Sequence, residues 1–124
     1  MRTGAIQSLS LLVAALVLLQ TATMAKAGCV VRPEQYQLQS DTVHWSISIA
    51  AGTQCIQGLR GKTILLEGVS IVDQPKTGNL TLNGPSFHYF ANAAQGTDSF
   101  RLLLTGTSVR IHGYSYIAVD VTIE

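Results

Sequence analysis

Charge is scarce in this chain: charged side chains make up 12% of its 124 residues, and no run of one sign occurs. The sequence therefore carries neither a nucleic-acid footprint nor a patch for an anionic membrane surface. Cysteine is limited to Cys29 and Cys55, with no CxxC and no further ligand near either at metal spacing. That excludes the usual redox and zinc frames. Sustained helical periodicity is missing beyond residue 27, which argues against a helical fold. G-x-S-x-G and H-E-x-x-H are missing too, so His44, His88 and His112 have no catalytic frame around them. His44 and His88 fall in strands, where a wet-face or satisfied position accounts for them. Glu34, Glu67 and Glu124 show no pairing of the kind glycoside hydrolysis uses. The sequence reads as non-enzymatic and calls for no cofactor or metal.

What is present begins with a targeting segment. Arg2 precedes an unbroken apolar run from Leu11 to Leu19, and Ala25-Lys26-Ala27 has the small-x-small form of a cleavage site. The run is well short of the roughly 20 apolar residues that span a bilayer. Residues 1–27 are expected to be a cleaved signal peptide, leaving residues 28–124 as one exported domain with no transmembrane segment. In a rival reading Cys29 follows a lipoprotein signal, but the position three before it should be apolar and holds Lys26. Cleavage removes Arg2 and Lys26, so six basic and seven acidic residues remain, a net charge of −1 with neutral histidines.

An even pair of cysteines in an exported chain points to a disulfide, Cys29–Cys55. The loop it closes is about 27 residues long, which constrains the unfolded chain by about 3.5 kcal/mol.

The stretch from Val69 to Phe100 organises the rest. Short runs at Val69–Val72, Asn79–Leu82 and Ser86–Phe90 are separated by Pro75-Lys76-Thr77-Gly78 and Asn83-Gly84-Pro85. Proline fixes φ and glycine supplies positive φ, so these clusters reverse an extended chain. Before this stretch, Val43, Trp45, Ile47 and Ile49 alternate with His44, Ser46 and Ser48, one apolar and one wet face of a strand. Gly58–Lys62 reads as an exposed loop, and Ile64–Leu66 as a short run cut off from Val69 by Glu67-Gly68. After it, Phe100, Leu102 and Leu104 alternate with polar residues, although Leu103 blurs the pattern. Thr105–Gly113 reads as a hairpin connection. Ile117, Val119, Val121 and Ile123 then share one face of the last strand. Some seven short strands with Gly, Pro and Asn between them predict an all-β, two-sheet antiparallel sandwich.

From Pro75 onward the order of residues resembles the bacterial immunoglobulin-like and cadherin-like surface domains. The resemblance rests on Pro75 and Gly78, Tyr89, then Gly96, Asp98 and Phe100, and finally Val119, Val121 and Ile123. It covers about half of the 97 residues 28–124. Ala91 stands where the family usually has proline, and the Tyr89–Gly96 loop is a residue short. The resemblance implies an Ig-like exported module, at the cell surface or in the periplasm, that binds a protein or glycan or supports an envelope structure. Periplasmic inhibition of, or assistance to, an enzyme is the alternative reading. The family's calcium between tandem copies does not carry over to a single copy.

Two groups of residues have both a functional and a structural reading. Asp98, between Gly96 and Phe100, is either a metal carboxylate or a turn residue accepting local backbone N–H bonds; the second is expected. Calcium would need several oxygens, and only Asp73 and Asp120 could approach through the fold. In Ser86–Phe90, Phe87 and Tyr89 share a face and belong to the core, which turns Phe90 outward. Phe90 is expected to pack under a loop; the alternative is an exposed aromatic patch with Tyr114 and Tyr116. Asn79-Leu80-Thr81 has the form of a glycosylation sequon.

Overall fold

The computed structural model describes residues 28–92 and 94–124, so the expected signal peptide (1–27) and Ala93 lie outside the described residues. Its elements are all strands: β1 (Cys29–Arg32), β2 (Asp41–Ile49), β3 (Gln54–Gly58), β4 (Ile64–Asp73), β5 (Asn79–Asn83), β6 (Ser86–Phe90), β7 (Gly96–Ser108) and β8 (Ile111–Ile123). They form a five-stranded sheet in the order β1-β2-β8-β7-β4 and a three-stranded sheet in the order β3-β6-β5. The all-β expectation holds, and the smaller sheet is antiparallel throughout.

The larger sheet is mixed, which corrects the fully antiparallel expectation. Strand β2 runs parallel to β8, with Val43 beside Ile117 and Ile49 beside Ile123. Short turns impose antiparallel pairing, and none joins these two strands. The chain leaves β2 for the other sheet and reaches β8 only at its end.

The inward rows of both sheets build one core. Val43, Trp45, Ile47 and Ile49 of β2, Phe100, Leu102 and Leu104 of β7, and Ile117, Val119, Val121 and Ile123 of β8 are buried. From the smaller sheet they meet Leu80, Phe87, Tyr89 and Cys55. Phe100 contacts Phe87 edge-on at 5.3 Å and stacks on Tyr89 at 5.7 Å. Each such side chain contributes roughly 1.5–3 kcal/mol when fully buried. Cys29 of β1 is disulfide-bonded to Cys55 of β3, their Cα atoms 5.6 Å apart, so the bond staples the two sheets along one edge. Along the other edge, Ile64, Leu66, Val69 and Ile71 of β4 are only partly buried, because three strands cannot cover five.

Several boundaries differ from the sequence reading. Ile64–Leu66 and Val69–Val72 are one strand, and the apparent break at Glu67-Gly68 is a register shift within it. A bulge keeps the chain in the sheet while inserting a residue, so Glu67 leaves the alternation without ending the strand. Thr105–Gly113 is not a long connection: Thr105–Ser108 pairs with Ile111–Tyr114, and the turn is Val109-Arg110 alone. Gly58–Lys62 is not wholly exposed, since Leu59 is buried and its N–H donates to Pro85 O at 2.8 Å.

Candidate functional site

Asp98 lies at the start of β7 with its carboxylate turned under the 75–78 turn. Its Oδ1 accepts N–H bonds from Lys76 (2.8 Å) and Ser99 (2.9 Å). Its Oδ2 accepts from Gly78 N (2.9 Å), Thr77 N (3.4 Å), Thr77 Oγ1 (3.1 Å) and the Tyr89 hydroxyl (2.7 Å). Gly78 is needed here because the Tyr89 ring occupies the space where a Cβ would project. Burial alone would raise the Asp98 pKa, but the Tyr89 hydroxyl and the N–H groups of Gly78, Lys76 and Ser99 outweigh it and hold the carboxyl at about 2. Burial, and then the neighbouring Asp98 charge, push the Tyr89 phenol well above the usual tyrosine value.

The structure thus gathers Gly78, Tyr89 and Asp98 in one network next to Pro75, with Phe100 stacked on the same ring. Gly96 opens β7 two residues before. The expectation of local turn bonds was too narrow: only the Ser99 N–H is local, and the others come from elements about 20 residues away or from the opposite sheet. A carboxylate ringed by N–H and O–H donors presents hydrogens, not lone pairs, to an incoming cation. Among the described residues no group of three or more His, Cys, Asp or Glu is placed to hold a metal ion.

A second buried polar cluster went unread in the sequence. Ser115, fully buried in β8, accepts from Leu38 N at 2.8 Å and donates to Asp41 Oδ1 at 2.5 Å. Asp41 also accepts from the N–H groups of Gln37 and Gln39, each at 3.0 Å. Burial would raise the Asp41 pKa, but the Ser115 hydroxyl and these backbone donors lower it. The segment is further tied by Tyr36, whose hydroxyl donates to Leu59 O at 2.6 Å, and by Trp45 Nε1, which donates to Glu34 O at 2.7 Å. Gly113 has no Cβ because Leu38 O lies against it. The signal available in the sequence was an isolated polar residue, Ser115, on the face of β8 that otherwise holds Ile117, Val119 and Val121. Between this segment and residues 57–62 opens a cleft of about 370 Å³ lined by Glu34, Tyr36, Trp45, Arg60 and Lys62, among others. Its tyrosine hydroxyl and indole N–H are already spent on backbone carbonyls, so the cleft has few fixed polar groups left to orient a ligand.

The open outer face of the larger sheet carries the most distinctive exposed chemistry. Tyr114 and Tyr116 of β8 stand edge to face with centroids 5.7 Å apart. The Arg101 guanidinium lies 5.0 Å from the Tyr116 centroid and 3.4 Å from Asp73 Oδ2. Leu103 and Ala118 sit half-buried beside them, and His44 is exposed on the neighbouring β2. Phe90 is exposed rather than packed under a loop, and stands on β6 flanked by Gln54 and Asn79. The outer sides of the two sheets face apart, so Phe90 does not join the tyrosines. His88 is half-buried on β6, and exposed His112 lies 2.9 Å from Thr107 Oγ1 and 3.3 Å from Glu67 Oε1.

No protein-family model matches the chain, and no curated protein matches it as a relative. Among solved structures, a sialyltransferase from Photobacterium damsela aligns with a TM-score of 0.40 at 12% identity. The alignment covers 65% of this chain and only 18% of that one. The Cys29–Cys55 bond fits a compartment outside the reducing cytoplasm. Among the described residues no helix is long and apolar enough to cross a membrane.

Proposed function

We propose that this chain is a non-enzymatic, exported Ig-like β-sandwich module that binds a protein or glycan partner through the open face of its larger sheet. The observation that carries the reading is the Arg101–Tyr116–Tyr114 group. Tyrosine and arginine dominate binding hot spots because each offers a large, semi-rigid contact surface with a polar handle. Here the rings hold one another, and Arg101 is held by Tyr116 on one side and Asp73 on the other. Little side-chain freedom is left to lose on binding. The sandwich reading is supported by one core shared between the two sheets and by the two cross-sheet ties, Cys29–Cys55 and Tyr89–Asp98. Export is supported by the disulfide and by the apolar run that precedes Ala25-Lys26-Ala27.

The test is affinity capture from an envelope extract with the wild-type protein and with Tyr114→Ser/Tyr116→Ser. The expected result is a partner recovered by the wild type and lost by the variant, with equal melting temperatures for both. Equal recovery by the two proteins would reject the face. An enzyme as the recovered partner would assign the inhibitory or accessory role.

A further inference from the structure

We propose that the β7–β8 hairpin tip is a membrane-contact site that enters the headgroup layer of an anionic lipid surface. Three large hydrophobic side chains are more exposed than any other large hydrophobic among the described residues: Val109 at 81%, Ile111 at 68% and Leu65 at 66%. All three lie at one end of the larger sheet. Val109 is in the hairpin turn, Ile111 is the first residue of β8, and Leu65 is the second residue of β4, paired with Thr107.

Sequence neighbours and strand register bring cations to the same end. Arg110 shares the turn with Val109. Ile64 pairs with Ser108, so Lys62 leads onto the sheet beside that turn; Arg60 does not join it, because it lies back beside Gly68, Val69 and Pro85. These charges come from separate parts of the chain, which is why no basic run marks them in the sequence. Glu67, the acid on this end of β4, is turned to Thr107 Oγ1 at 2.6 Å and to His112 at 3.3 Å. Apolar side chains at a tip, flanked by basic ones, match an interface whose outer layer is anionic and whose inner layer is hydrocarbon.

The turn itself is made from the wrong residues for stability. Val109 and Arg110 have φ of 49° and 65°. A two-residue hairpin turn with both φ values positive is the place for Asn-Gly, and a β-branched residue there is an outlier. The strain sets an apolar and a basic side chain at the most protruding point of the hairpin, where neither contributes to the core. A protein partner is the weaker match, because a convex tip offers little of the roughly 800 Å² per side that a stable interface covers. A bilayer interface closes around a convex tip.

Replacing the turn by its preferred residues separates folding from binding. The experiment is co-sedimentation of the exported protein with vesicles of phosphatidylcholine alone, or of phosphatidylcholine mixed with phosphatidylglycerol, at low and high salt. Wild type, Val109→Asn/Arg110→Gly and Ile111→Ser are compared. The expected result is sedimentation of the wild type with the mixed vesicles, release by salt, and little binding to phosphatidylcholine alone. Val109→Asn/Arg110→Gly should bind at least about tenfold more weakly, in line with losing one basic and one apolar contact, while melting at or above the wild-type temperature. Ile111→Ser changes an exposed side chain and should also weaken sedimentation. Failure of the wild type to sediment with mixed vesicles overturns the proposal. So does equal sedimentation with both vesicle types, or full binding by both variants.

Discussion

The Tyr89 hydroxyl donates to Asp98 Oδ2 at 2.7 Å, joining β6 of the smaller sheet to β7 of the larger. This bond and the N–H groups of Lys76, Gly78 and Ser99 make the carboxylate the hub on which one end of the molecule closes. Asp98→Ala should therefore cost more than the about 1–2 kcal/mol of a lost local turn. It leaves several donors without partners, and the expected loss is about 3–5 kcal/mol. Tyr89→Phe removes one donor to a charged acceptor and should cost about 1.5–3 kcal/mol. Urea unfolding of both variants checks the order.

Asp98 also sets an acid limit on stability. Its folded pKa is about 2, against 3.8 for the free side chain. A depressed folded pKa means that the unfolded chain takes up the proton first, so the contribution is complete above pH about 4 and is lost as the pH falls toward 2. The shift corresponds to about 2 kcal/mol. Unfolding free energy measured between pH 5 and pH 2 should fall in wild type and much less steeply in Asp98→Asn.

For the disulfide, non-reducing peptide mapping should recover the Cys29 and Cys55 peptides as one species. Cys55→Ser should lower stability by about 2–5 kcal/mol, the usual loss for a small secreted domain. Recovery of two alkylatable thiols from the native protein would contradict the bridge.

Ser115→Ala tests the cluster under residues 36–41. It removes the acceptor of Leu38 N–H and one donor to Asp41 at a fully buried position. The expected cost is about 1–3 kcal/mol. Amide exchange at Leu38 should accelerate more than exchange in β6, which does not touch the cluster.

Legibility in the sequence followed local alternation. The buried rows Val43–Ile49, Phe100–Leu104 and Ile117–Ile123 were readable because each strand buries one face only. The inward placement of Phe87 and Tyr89, with Phe90 outward, was readable for the same reason. Strands β1 and β3 were not: Cys29–Arg32 is four residues, and Gln54–Gly58 carries two glutamines and an exposed Ile56. Their strand state comes from pairing with β2 and β6, not from propensity. Glu67-Gly68 looked like a break because a bulge and a turn draw on the same residues. Asp98 was singled out, but its partners lie across a fold that no spacing rule encodes. The approach of Lys62 to the β7–β8 turn was invisible because register, not sequence distance, sets Ile64 beside Ser108.

The parallel pairing of β2 with β8 has a consequence for the order of events as the chain is made. A chain made N-terminus first presents β2 early, with only the short β1 to pair with. Its other neighbour, β8, begins only at Ile111. Trp45, Ile47 and Ile49 must therefore stay uncovered on one flank until residues 117–123 are available, and the loop closed at that moment spans most of the described residues. Contacts of such long sequence separation form slowly, on the millisecond-to-second scale of all-β domains. The interval is a window in which an unpaired, apolar strand is open to holdases or to a second chain, and it closes only when β8 docks.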